Sequence, residues 1–206
     1  MQLSGHNIFL MHHYYIFHKP FRVLSQFSAE GDKKTLSDFF HSLPKNIYPV
    51  GRLDYDSEGL LLLTDDKALT HQLLDPSFGH ARTYWVQVEG AITQQAIQQI
   101  AEGITITVNG KPYRTKKATV RILTEEPAVA ERNPPIRYRK NIPTSWISLT
   151  LTEGKNRQVR HMAAAAGYPV LRLIRYAIGT VTIDGMAPGA NKPADEGIKE
   201  LLLSKK

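Results

Sequence analysis

Asp54 stands two residues after Arg52 in the stretch 51–64, GRLDYDSEGLLLLT, where four leucines run from Leu60 to Leu63. A carboxylate at the mouth of an apolar strand, with a cation nearby, is a poised nucleophile or base, because burial and neighbouring charge together control its ionisation. A purely structural acidic turn is the alternative reading. The stretch also imitates the start of a calcium loop, with Asp54, Asp56 and Glu58 before Gly59, and Asp65 in twelfth place. Calcium is set aside on three counts. The twelfth position carries Asp where a longer bidentate Glu is needed. The ninth, Leu62, has no side-chain oxygen. The preceding YPVG cannot be an entering helix. No metal is expected.

Two further segments carry candidate chemistry. Tyr84 lies in ARTYWVQVEG. Its ring either packs in a core, as aromatics on alternating strands do, or stacks on a nucleobase while its hydroxyl bonds a neighbour. Residues 153–167, EGKNRQVRHMAAAAG, read as a turn followed by a helix with Lys155, Arg157 and Arg160 at its start. Arg157 and Arg160 are three apart and share one face. Basic side chains at a helix start oppose the macrodipole, which points to partners elsewhere: phosphates for some, a carboxylate for another. A plain solvated face is the alternative.

The elements that must position these residues are short. Strands are expected at Tyr14–Lys19, Leu60–Thr64, Arg82–Glu89, Thr105–Val108, Trp146–Thr152, Val170–Ile174 and Thr180–Ile183. Asn109-Gly110 makes a hairpin turn, and Ala118–Thr124 is expected to pair back. Helices are expected over Ser37–His41, Lys67–Leu74 behind an Asp65–Asp66 cap, from Thr93 to Gly103, and Arg157–Ala166. Residues 126–143 read as an irregular loop rich in Pro and Arg, and those after Asp184 as a polar loop with one short last element. The pattern is α+β, a mostly antiparallel mixed sheet flanked by helices. One catalytic domain over 1–206 is expected, divisible into lobes of about 1–80 and 81–206.

Composition narrows the partners. The chain has 206 residues, 42% of them hydrophobic, with no cysteine and a net charge of +7. Disulfides, zinc–thiolate sites and thiol nucleophiles are excluded. No run reaches the length of a membrane span, and the N-terminal stretch lacks the basic region of a signal peptide, so a cytoplasmic protein is expected. Residues 111–160 hold twelve Lys/Arg and four Asp/Glu, while the remainder is nearly neutral. Such a localised field attracts phosphate backbones, although a solvated basic face fits the same counts. No phosphate loop or dinucleotide fingerprint occurs.

In order and spacing these motifs resemble the RNA pseudouridine synthases of the small- and large-subunit rRNA type. The resemblance covers residues 14–184, through HKP at 18–20, GRLD at 51–54, SEGLLLLT at 57–64, TYWVQVEG at 83–90, EGKNRQVRHM at 153–162 and LRLIRYAIG at 171–179. The loop 132–146, RNPPIRYRKNIPTSW, resembles the E-type large-subunit branch. The resemblance implies that uridine in 23S rRNA, in the peptidyl-transferase region, is isomerised to pseudouridine without a cofactor. It implies Asp54 as the essential Asp, Tyr84 as the ring stacking on the target base and helping to move the C5 proton, and Arg160 as the salt-bridge partner of Asp54. Leu173 would pack near the uracil, and Arg52 would occupy the space left by the flipped nucleotide. RNA contacts are expected from Arg82, Lys155, Arg157, Arg137, Arg139 and Lys140. Arg82 stands where Lys is common and His161 where Arg is common, which bears on substrate details. The small S4-type RNA-binding domain found before this domain in many relatives is expected to be absent. The partner is then RNA, as 23S rRNA or a ribosome precursor, with a monomeric enzyme and no obligate protein partner. Two other readings stay open: a non-catalytic RNA-binding protein of the same fold, and a synthase acting on small-subunit rRNA or tRNA.

Overall fold

The four leucines of the acidic motif have side chains on both faces of one strand, and each face is buried. Leu60 and Leu62 enter one core, with Tyr14, Ile16, Trp146, Ile174 and Ile178; Leu61 and Leu63 enter another, with Phe17, Leu36 and Ile47. A strand covered on both sides reads as a continuous apolar run, and each buried leucine contributes roughly 1.5–3 kcal/mol.

The computed structural model describes residues 12–136 and 139–204. In chain order the elements are β1 (Tyr14–Lys19), β2 (Tyr48–Pro49), β3 (Glu58–Thr64), α1 (Lys67–Leu74), β4 (Arg82–Glu89), α2 (Gln94–Ala101), β5 (Thr105–Val108) and β6 (Lys111–Arg114). There follow β7 (Thr119–Ile122), β8 (Thr144–Leu151), α3 (Gln158–Ala165), β9 (Val170–Ile178), β10 (Val181–Thr182), β11 (Asn191–Ala194) and α4 (Ile198–Leu203). Among the described residues, the main sheet runs β11-β1-β3-β9-β4-β8-β7, with β10 beside β9 and β2 beside β3. Its pairings are antiparallel except β3 with β9. The α+β expectation holds. The sheet crosses both proposed lobes, and β9 sits between β3 of the first and β4 of the second. No helix of the described residues is long and apolar enough to cross a membrane.

Four expectations need correction. Thr105–Val108 does not pair with 118–124. It pairs with Lys111–Arg114 across Asn109-Gly110, both at positive φ, while Thr119–Ile122 pairs with β8. Pro112 hid β6: proline is tolerated there because this two-stranded ribbon leaves the strand an open edge. The helix after Thr35 is a single 3-10 turn, Leu36–Asp38, closed by a Thr35–Asp38 capping box. Strand β9 continues past Ile174 to Ile178, through Arg175 and Tyr176. Helix α3 begins at Gln158, because Arg157 takes a left-handed backbone (φ 50°) and serves as its cap residue.

Asp66 caps α1 through the Leu69 N–H at 2.9 Å, accepts from the Tyr14 hydroxyl at 2.9 Å, and lies 3.1 Å from Lys199 of α4. Burial alone would raise its carboxyl, but these partners together bring it from 3.8 down to about 2. A folded-state value below the unfolded one stabilises above the unfolded value, and that stability is lost as pH falls through about 4 to about 2. The contribution is on the order of 2 kcal/mol. In Asp66→Asn, the loss of melting temperature between about pH 5 and about pH 2 is expected to shrink correspondingly.

Candidate active site

The loop that carries Asp54 joins β2 to β3 and is clamped from outside its own segment. Ser25 donates from Oγ to the Leu53 carbonyl at 2.9 Å and accepts from the Leu53 N–H at 3.1 Å. The Arg22 N–H donates to the Tyr55 carbonyl at 2.8 Å, and the Ser57 N–H closes a turn onto the Asp54 carbonyl at 3.0 Å. Behind this loop lies Lys19, fully buried, its ammonium donating to the carbonyls of Pro20 at 2.9 Å and Val23 at 2.7 Å. Burial pushes it down to about 7, against the opposing pull of Glu58, Asp54 and Asp56. The acidic turn therefore has a buried lysine below it, whose charge is weakened by burial, as well as cations in front.

Those in front come from α3 and its cap. Arg157 donates from both terminal nitrogens to the Asp56 carboxylate at 2.9 Å each, and its Nη1 is 3.5 Å from Asp54 Oδ2. Arg160 donates from Nη2 to the Asp56 carbonyl at 2.6 Å and to Ser57 Oγ at 3.3 Å, and lies 3.4 Å from Asp56 Oδ2. The expected Arg160–Asp54 salt bridge is thus corrected. Arg157 is the arginine within salt-bridge distance of Asp54, while Arg160 grips the backbone two residues further on, at Asp56, and reaches Asp54 only as a through-space charge. The cause is the left-handed backbone at Arg157, which swings its side chain toward the turn and off the helix face. Burial raises the Asp56 carboxyl, and Arg157 and Arg160 more than reverse it, leaving it below the ordinary value.

The segment before α3 is built by two residues that sequence reading passed over. Glu153 accepts from the Tyr113 hydroxyl at 2.5 Å, the Lys116 N–H at 2.8 Å and Gln158 Nε2 at 2.6 Å. Gln158 also accepts from the Lys155 N–H at 2.8 Å. Burial would raise Glu153, but these donors hold it below its usual range. The turn that presents Lys155 and Arg157 is therefore braced by a buried carboxylate. A signal existed in the EGKNRQ string: a Glu and a Gln five apart around a glycine turn.

Between the Asp54 loop, β4, β9 and this turn lies a cleft of about 330 Å³. Of the residues singled out above, it is lined by Arg52, Asp54, Arg82, Tyr84, Lys155, Arg157 and Leu173. Tyr84 and Leu173 come from neighbouring strands on the α3 side of the sheet; Leu173 is a buried member of the adjoining core, and Tyr84 is partly buried against it. A ring and an aliphatic side chain together with a carboxylate and cations can hold a planar base and its phosphates. Arg82 is anchored by a hydrogen bond to the Leu73 carbonyl at the end of α1.

The remaining RNA-contact candidates are not brought here. Arg139 and Lys140 line a second cavity of about 480 Å³ at the far end of β4, where Arg139 pairs with Glu89 at 3.1 Å. Arg137 lies outside the described residues, as do residues 1–11.

The family model for RNA pseudouridylate synthase matches residues 13–165. A "Ribosomal large subunit pseudouridine synthase E" of Xanthomonas axonopodis pv. citri is 49% identical over 175 residues, which cover 84% of this chain and 89% of the relative. The protein of the same name from Vibrio parahaemolyticus is 44% identical over 174 residues, 84% of this chain and 70% of that one. Among solved structures, a pseudouridylate synthase crystal structure superposes with a TM-score of 0.74 at 29% identity, covering 93% of this chain and 74% of its own.

Proposed function

Since the chain belongs to the RNA pseudouridylate synthase family, we propose that it isomerises one uridine of large-subunit (23S) rRNA, in the peptidyl-transferase region, with Asp54 as the reacting carboxylate. The observation that carries this reading is the cleft itself: Asp54, Tyr84 and Leu173 line it together, with Arg157 beside the carboxylate. The reaction breaks the N1–C1′ bond, turns the uracil and joins C5 to C1′. Nothing is oxidised or hydrolysed, so the chain's own groups suffice. The base leaves its stack at a cost of a few kcal/mol, which stacking on Tyr84 offsets in part. Arg52 fills the space it leaves, and Arg82, Lys155 and Arg157 hold flanking phosphates. The enzyme acts as a monomer in the cytoplasm, on rRNA or a ribosome precursor. The names and identities of the E-type relatives favour large-subunit rRNA over small-subunit rRNA or tRNA. The test is tritium release from C5-labelled 23S rRNA by the purified chain, followed by mapping of pseudouridine in the product. Absence of release from 23S rRNA, with release from 16S rRNA or tRNA, overturns the substrate.

The basic loop 132–140 extends the RNA track to the far end of β4. Neutralising Arg139 and Lys140 together is expected to weaken RNA binding and to flatten its log–log salt dependence by about 0.7 for each phosphate no longer neutralised. Lys140 carries more of this effect, because Arg139 is already paired with Glu89. The rate at saturating RNA stays near wild type. A salt titration of binding checks this beside a melting curve, since side chains that only brace the loop would lower the melting temperature and leave the slope unchanged.

A further inference from the structure

Arg175 sits in the middle of β9 with its guanidinium buried, and among the described residues no carboxylate pairs with it. Its Nε donates to the Leu60 carbonyl of β3 at 2.7 Å, and its Nη2 is buried without a hydrogen-bond partner. Burial disfavours its charge, Tyr84 favours it and the nearby Arg82 opposes it. Arg175 and Tyr84 are register partners across β9 and β4, beside a β-bulge between Thr83 and Tyr84, and both line the cleft. A bulge re-aims the side chains next to it.

On its other side Arg175 is pressed against Gly59. A Cβ at Gly59, whose φ is +108°, would lie 2.3 Å from the Arg175 carbonyl oxygen and 2.6 Å from its nitrogen. The parallel pairing of β3 with β9 consists of Glu58 with Ile174 and Gly59 with Arg175. The strand that leaves the Asp54 loop thus meets β9 at this residue, and Arg175 spans from there to the strand that carries Tyr84. For packing alone, leucine or methionine would serve better, because an unpaired buried cation is costly to desolvate.

We infer that Arg175 is the positioning residue of Tyr84, holding its hydroxyl and tying it to the Leu60 carbonyl, so that the gap between the Asp54 loop and the Tyr84 ring is fixed. Arg175 touches neither base nor sugar. The inference rests on the reading of Tyr84 as the ring that meets the target base.

Arg175→Lys and Arg175→Met are compared in the wild-type chain and in Tyr84→Phe, by single-turnover tritium release across RNA concentrations. Loss of transition-state positioning is expected to lower the maximal rate about 10- to 100-fold with apparent RNA affinity changed less than about 3-fold. In Tyr84→Phe, which lacks the hydroxyl, the same substitutions are expected to change the rate less than about 2-fold, because coupled residues are non-additive. Equal losses in both backgrounds, or a wild-type rate in Arg175→Lys, overturn the inference. Arg175→Lys keeps a cation and guards against a variant that fails to fold. A second readout is independent of turnover: the ¹³C ring resonance of Tyr84, assigned from Tyr84→Phe, is expected to shift and broaden in Arg175→Lys. If the wild-type chain releases no tritium, the functional reading has failed, and the ring resonance decides alone: an unchanged signal overturns the positioning role.

Discussion

Asp54→Asn is expected to abolish tritium release from C5-labelled rRNA while leaving RNA affinity within a few-fold of wild type. The amide is nearly isosteric with the carboxylate but is a poor nucleophile and a poor base. It cannot replace an ionised oxygen at the sugar. The fold should tolerate the change, because Asp54 is partly exposed and its loop is held by bonds that the side chain does not make. These are Ser25 on Leu53, the Arg22 N–H on Tyr55, and Arg160 on the Asp56 carbonyl. Arg157 keeps its two bonds to Asp56, so its guanidinium stays in place. Release and binding are measured on the same preparation. Retained turnover would remove Asp54 from the chemistry. Abolished turnover together with abolished affinity would leave a binding protein as the simpler reading of the site.

Period-two alternation exposed β4, and the continuous leucine run exposed β3, because both patterns report burial of local side chains. What local pattern could not report was partnership. The Asn109-Gly110 turn is legible, yet Pro112 argues against a strand directly after it, so local pattern favours the next apolar stretch as the partner. Helical periodicity put Arg157 and Arg160 on one face. The left-handed backbone at Arg157 breaks that geometry, and so the arginine beside Asp54 is not the one the motif implies. Ser25, Lys19, Glu153 and Arg175 support the cleft through bonds to backbone or to distant segments. None has a spacing relation to Asp54 along the chain. The residues lining the cleft were legible through the resemblance of their motifs; the residues that set its geometry required the sheet order, above all the placement of β9 between β3 and β4.

The Glu58–Arg172 pair makes that sheet order a matter of stability as well as position. Arg172 donates from Nε and Nη2 to the two carboxylate oxygens of Glu58, each at 2.8 Å, and from Nη2 to the Ala130 carbonyl at 2.9 Å. Both side chains are buried, at 6% and 2% exposure, so solvent does not screen the pair. Such a pair gives little net stability over apolar residues of the same shape, but removing one partner leaves a buried charge uncompensated. Arg172→Met is therefore expected to destabilise the protein by about 3–5 kcal/mol. For a chain of this size that lowers the melting temperature by roughly 6–20 °C. It also frees the Ala130 carbonyl and with it the start of the basic loop. The double variant Glu58→Leu with Arg172→Met should recover much of the loss, because no charge remains to be compensated. Thermal melts of the single and double variants separate the possibilities. If the double variant melts no higher than Arg172→Met, the loss comes from the Ala130 hydrogen bond and the packing of β9, and the ion pair is not its source.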